Sequence, residues 1–307
     1  MTERKSFYDQ IEGNKRNSWI LMFVVLVTLG FVTLAMGLII ANVYDPGVMF
    51  LFLMFATVFN IGYMLYTYYN SDKVALSSVG AQPADGPQFQ QLRNIVEEMA
   101  IAGGTPVPKV YVMLSQDINA FAAGRDPEHS VVCVTEGCLA KLNRQELQSV
   151  ISHEMTHIRN FDIRFVTLVA VMVGLVSIIS QMFLRSMWYG GGGGRDRRGG
   201  GGGAALILIG IVLSIIAPLI VKLVQLAISR RREYMADAGA VELTRYPDGM
   251  ISALRKIEAD YAQPRQHTQV NAAVAPMFLA DPVRDRLVTL FQTHPQIKDR
   301  IKALEAM

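Results

Sequence analysis

His153, Glu154 and His157 stand in the order H-E-x-x-H. Residues four apart share one face of a helix, so both imidazoles can point at a single metal ion. Glu154, one step along, lies beside that ion and not on it, which suits a base that takes a proton from a water on the metal. Zinc lowers the pKa of such a water towards about 7, and the hydroxide can attack a peptide carbonyl polarised by the same ion. The spacing points to zinc-assisted peptide hydrolysis, with one Zn2+ per chain.

Two histidines leave a zinc site short of one protein ligand. Glu233, in Arg-Arg-Glu-Tyr-Met-Ala-Asp-Ala, is the candidate. Asp237 follows four residues later on the same helical face. It can accept a hydrogen bond from a liganding imidazole and fix that ring's tautomer.

These residues need elements to hold them. Asn143 and Glu146 fit a capping box, with Leu142 and Leu147 as its staple, so a helix starts near Arg144 and carries the motif. A second helix is expected over residues 89–101, with Leu92, Ile95, Val96 and Met99 on one face. Valine-rich runs at residues 109–113 and 130–135 read as strands, and residues 80–86 read as a linker.

Hydrophobic residues make up 51% of the 307, and mean hydropathy is +0.28. The excess is concentrated. A span needs about 20 apolar residues to cross roughly 30 Å of hydrocarbon, and residues 19–41, 48–69, 165–184 and 204–228 qualify. Basic residues in the N-terminal tail and their absence from the first hairpin loop put the tail in the cytoplasm. Two hairpins then return both ligand segments to the cytoplasmic membrane surface. The glycine- and arginine-rich loop between the third and fourth spans falls outside, against the positive-inside tendency, and reads as a flexible linker. The expected organisation is a tail and hairpin over 1–70, a first catalytic part over 71–164, a second hairpin over 165–228 and a second catalytic part over 229–307. A net charge of +3 gives no sign of a nucleic-acid partner, and Cys133 and Cys138 read as buried, reduced thiols.

The chain resembles the HtpX membrane metalloprotease family, relatives of the CAAX prenyl proteases. The resemblance rests on the first hairpin, Asn119-Ala120-Phe121-Ala122, Thr135-Glu136-Gly137, His153-Glu154-Met155-Thr156-His157, Asn160 to Asp162, Glu233 to Asp237, and Thr293-His294-Pro295. It implies an α+β zincin-type (gluzincin) catalytic domain, mostly helical, with four transmembrane helices in two hairpins. It implies that His153, His157 and Glu233 hold zinc and that Glu154 is the catalytic acid and base. Asn119, Ala120, Phe121 and Ala122 would lie near an edge strand that pairs with an extended substrate. His294 would sit near the cleft and support the oxyanion, or else simply precede the helix that Pro295 opens. The implied work is quality control in the cell membrane under stress, on misfolded or damaged membrane proteins and unfolded polypeptides.

A non-catalytic membrane scaffold is the alternative, and an intact Glu154 argues against it. An intramembrane protease would need the motif inside a span, where Arg159, Asp162 and Arg164 would be costly. A metal transporter would carry its ligands within the spans.

Overall fold

The computed structural model describes residues 7–43, 46–167, 230–263, 277–280 and 295–307. Helix α1 (Phe7–Val43) contains the expected run at 19–41 and continues into the tail. Helix α2 (Pro46–Tyr69) follows, and its residues Gly47–Tyr69 are long and apolar enough to cross a membrane. The two helices pack together. Asn60, the polar interruption in the second run, donates to Thr33 Oγ1 at 2.8 Å across their interface. The expected spans at 165–184 and 204–228, and the glycine-rich loop, lie outside the described residues apart from the first three positions, 165–167, which are helical.

Helix α3 (Ser71–Ser78) leads into a four-stranded sheet. Its strands are β1 (Gln82–Pro83), β2 (Lys109–Met113), β3 (Ala120–Asp126) and β4 (His129–Thr135). Their spatial order is β1-β2-β4-β3, with β2 parallel to β4 and the other pairs antiparallel. β1 falls where a linker was expected. Gln82 and Pro83 pair with Val112 and Tyr111, so the otherwise open edge of β2 recruits them. β3 forms the opposite edge.

Both faces of β3 and β4 are covered. Ala120, Ala122, Val132 and Val134 face the main core, while Phe121, Ala123, Val131 and Cys133 face a smaller cluster with α3, Met277 and Phe278. Alternate side chains of a strand point to opposite faces, so two-sided burial explains the continuous apolar run of β4. Cys133 and Cys138 are free, buried thiols, and burial pushes the Cys138 thiol up to about 12.

Helix α4 (Gln90–Gly103) buries Leu92, Ile95, Val96, Met99 and Ala100 and ends at Gly104 in the left-handed conformation, φ 63°, which glycine adopts without a Cβ penalty. After the short α5 (Glu136–Lys141) comes α6 (Arg144–Arg159), which opens on the expected capping box. The Asn143 side chain accepts from the Glu146 N–H at 3.0 Å, and the Glu146 carboxylate accepts from the Asn143 N–H at 2.8 Å. α6 is buried nearly all round, so it needs cover on every side. β3, α4, α7 (Arg230–Thr244) and α8 (Pro247–Ala262) provide it. Helix α9 (Ile297–Glu305) packs on α7 and α8.

Candidate metal centre

α6 presents His153, Glu154 and His157, all in its second half. α7 lies against this stretch at close range. A Cβ placed on Gly239 would meet Thr156 Cγ2 at 2.5 Å, so a glycine is what lets the two helices approach. This approach brings Glu233, in the first turn of α7, to the histidines. His153 Nε2 and His157 Nε2 lie 3.2 Å apart. The Glu233 carboxylate stands 3.7 Å from the first and 3.6 Å from the second. Ligands about 2 Å from a tetrahedral ion are themselves separated by about 3.3 Å, so the three groups could hold one metal.

The outer nitrogens settle the donor chemistry. His153 Nδ1 is 3.0 Å from Asp237 Oδ1, and His157 Nδ1 is 3.1 Å from Asp162 Oδ2. A carboxylate only accepts, so each Nδ1 carries a proton, and once both rings are neutral each Nε2 turns a lone pair inward. Two lone pairs and a carboxylate then converge on one point, an arrangement that calls for a cation. Without a metal, burial pulls the His157 pKa down, but the Asp162 hydrogen bond and the charge of Glu233 outweigh it and carry the pKa up to about 9. His153 goes the other way: burial, reinforced by the charges of His157 and Arg300, holds it below the ordinary imidazole value despite its bond to Asp237.

Glu154 is buried. Desolvation and the charge of Glu233 push its carboxyl up to about 7, against the pull of His157 and of a hydrogen bond from the Ala122 N–H. A carboxyl poised near neutrality can both take and return a proton.

Arg300, on α9, is 1% exposed. It donates to both oxygens of Asp237, from Nε at 2.8 Å and Nη2 at 2.6 Å, and its Nη1 lies 3.5 Å from Glu233 Oε2. Asp237 is held below the usual carboxylate range: burial raises it, and the Arg300 charge and hydrogen bonds more than reverse that.

Asn119 stands just before β3, and Ala120, Phe121 and Ala122 lie on that edge strand. Part of that edge carries Met277 to Ala280. Ala120 O accepts from the Leu279 N–H at 2.9 Å. Asn119 Nδ2 donates to Ala280 O at 2.7 Å, and its Oδ1 accepts from the Ala280 N–H at 3.1 Å. Phe121 pairs with Phe278, their rings 5.0 Å apart. His294 lies outside the described residues.

A model of peptidase family M48 matches residues 87–307, a stretch that contains this whole constellation. The chain belongs to that family. Relatives of this M48 chain include the protease HtpX homologs of Caldanaerobacter subterraneus subsp. tengcongensis, 45% identical over 100% of this chain and 99% of that one, of Dictyoglomus thermophilum, 41% identical over 98% and 95%, and of Streptococcus agalactiae, 43% identical over 98% and 99%. Among solved structures, that of S. mikatae Ste24p covers 91% of this chain and 67% of its own, at 18% identity and a TM-score of 0.49. The M48 chain is a metalloprotease, a hydrolase of peptide bonds, with a mostly helical fold around a small sheet and a helix long enough to span a membrane.

Sequence reasoning missed Arg300 and the part played by Asp162. Asp162 carried a faint signal, a carboxylate five residues after His157. Arg300 carried none, being one cation in a helix of mixed charge.

Proposed function

We propose that this M48 peptidase is a membrane-bound zinc endopeptidase acting at the cytoplasmic membrane surface on misfolded or damaged membrane proteins and unfolded polypeptides. The observation that carries this reading is the convergence of His153, His157 and Glu233, with the buried carboxyl of Glu154 beside them. Imidazole and carboxylate donors in a closely spaced trio suit zinc, one ion per chain.

When bound, zinc supplies a Lewis acid that polarises the scissile carbonyl and acidifies a water. His153, His157 and Glu233 would hold it. Asp237 and Asp162 orient the two imidazoles. Glu154, buried beside the three ligands, takes the proton from the attacking water and returns it to the leaving amine. An extended substrate adds to the β3 edge at Asn119, Ala120, Phe121 and Ala122, its backbone read by the Asn119 amide, as the Ala280 backbone is. His294 is assigned support of the oxyanion on the resemblance alone. The substrate class is supported by the hydrophobic anchor, which keeps the site near polypeptides in or leaving the bilayer.

The test is metal analysis of the purified chain with cleavage of an unfolded model protein. Stoichiometric zinc and cleavage are expected, and Glu154→Gln should keep the zinc and abolish the cleavage. Undiminished cleavage by that variant would sink the mechanism.

A further inference from the structure

The turn after α6 makes contacts that the chemistry above leaves unused. Phe161 has a positive φ of 60°, a conformation that a bulky residue keeps only where its surroundings hold it. The turn folds the chain back so that Asp162 faces His157, five residues earlier. Two side chains from the far end of the sequence meet this turn. Lys15 of α1 places its ammonium 4.3 Å from the centre of the Phe161 ring. One residue before it, Asn14 donates from Nδ2 to Asn160 O at 2.9 Å and to Asp162 Oδ1 at 2.8 Å. Both partners are acceptors, so chemistry alone sets the amide orientation, with both its hydrogens engaged.

We propose that Asn14 is a positioning residue for the metal site, acting through Asp162 on His157. The carboxylate of Asp162 is shared between two tasks. Oδ2 faces His157 Nδ1 at 3.1 Å, while Oδ1 takes the Asn14 amide. Arg232, next to Glu233, also reaches Oδ1, at the longer distance of 3.7 Å. Asn14 pins the carboxylate plane with Oδ2 towards the imidazole. Without it, the charge of Arg232 draws the carboxylate round, and His157 loses the partner that fixes its tautomer. Asn14 lies on the same helix as the apolar run at 19–41, a few residues before it, and its carbonyl accepts from Ser18 Oγ at 2.8 Å. The relay therefore ties the seating of the first hydrophobic helix to the geometry of a metal ligand.

This inference rests on the reading of His153, His157 and Glu233 as zinc ligands. The experiment measures zinc affinity of the full chain in detergent by competition with a chromogenic chelator, alongside the thermal melt of the metal-free protein. Asn14→Ala should weaken zinc by about tenfold, as loss of an outer hydrogen bond does. The same change in an Asp162→Asn background should add less than about twofold, because the relay is already broken. Lys15→Ala, which removes the ring contact and leaves the Asp162 bonds, should bind zinc as the wild type does. Should Asn14→Ala disturb the metal-free melt, Asn14→Asp serves instead, since it keeps size and polarity but sets a carboxylate against Asp162. Zinc affinity unchanged in the Asn14 variants, a full loss persisting in the Asp162→Asn background, or an equal loss in Lys15→Ala would each overturn the relay alone. A wild-type chain that binds no zinc would overturn the proposed function with it.

Discussion

Arg300 grips Asp237 through two parallel hydrogen bonds, and Asp237 in turn faces His153. The three groups are almost wholly buried, so the guanidinium compensates a carboxylate that water cannot reach. Breaking such a pair from one side leaves an uncompensated charge and costs about 3–5 kcal/mol. Arg300→Ala should lower the thermal midpoint sharply. Arg300→Lys keeps the charge but not the fork, and should fold more stably than the alanine variant while binding zinc more weakly than the wild type. Calorimetry and chelator competition check the two parts, and a lysine variant equal to the wild type in both would contradict the account.

Gly239 is the point of closest approach between the metal helix and the helix of Glu233. Gly239→Ala puts a methyl group 2.5 Å from Thr156 Cγ2, and overpacking of this kind costs about 1–3 kcal/mol. Zinc affinity should fall as well, because the helices must separate and take Glu233 with them. Adding Thr156→Ala should recover most of both losses, as measured by denaturant melts and zinc titration; absence of recovery would show that the crowding lies elsewhere.

Glu146 links the start of α6 to α8. Its carboxylate accepts from the Asn143 N–H, from Ser252 Oγ at 2.6 Å and from Lys256 Nζ at 2.7 Å. Burial raises its pKa, but the bonds from Lys256, Ser252 and Asn143 reverse this, and the net pKa lies below the ordinary 4.5. A lowered pKa in the folded state means stability that is complete above pH 4.5 and is lost as pH falls through the folded value. Glu146→Gln should therefore cost about 1–3 kcal/mol near neutrality and less in acid. Melts recorded from pH 7 down to about pH 3 would show the two proteins converging; a constant gap would remove the carboxylate from the explanation.

Chelation should unfold the protein at lower temperature. A ligand present at a thousand times its Kd stabilises by about 4 kcal/mol, worth about 10 °C for a domain of this size. Zinc added back should restore the midpoint, and Glu154→Gln should show the same shift because it retains all three proposed ligands. A midpoint indifferent to chelator would deny the metal any hold on the fold.

What the sequence made legible was local. His153, Glu154 and His157 lie within one helical turn, and the Asn143–Glu146 box that starts their helix spans four residues, so short-range geometry suffices. Glu233 was reached from the expectation of two hairpins, the second of which lies outside the described residues, and the structure brings it to the histidines through the approach of α7 to α6. The strand at 109–113 was readable from valine and its breakers, whereas β1 was hidden, because two residues pair only by virtue of a neighbour's open edge. Asn14 with Asp162 and Arg300 with Asp237 join residues 148 and 63 apart. No periodicity records such partnerships, since either side chain alone reads as one more solvated polar group.

The strand edge beside Glu154 already has a tenant of the chain's own making, from Met277 to Ala280. On the proposed reading, a substrate strand that pairs there competes with this tethered segment of the same chain, whose effective concentration is in the millimolar range or above. Short peptides would then be poor competitors, because they replace a tethered segment with an untethered one of equal length. On that reading, a long unfolded stretch offers more backbone and more apolar contact than it displaces, so the occupied edge would select substrates by length.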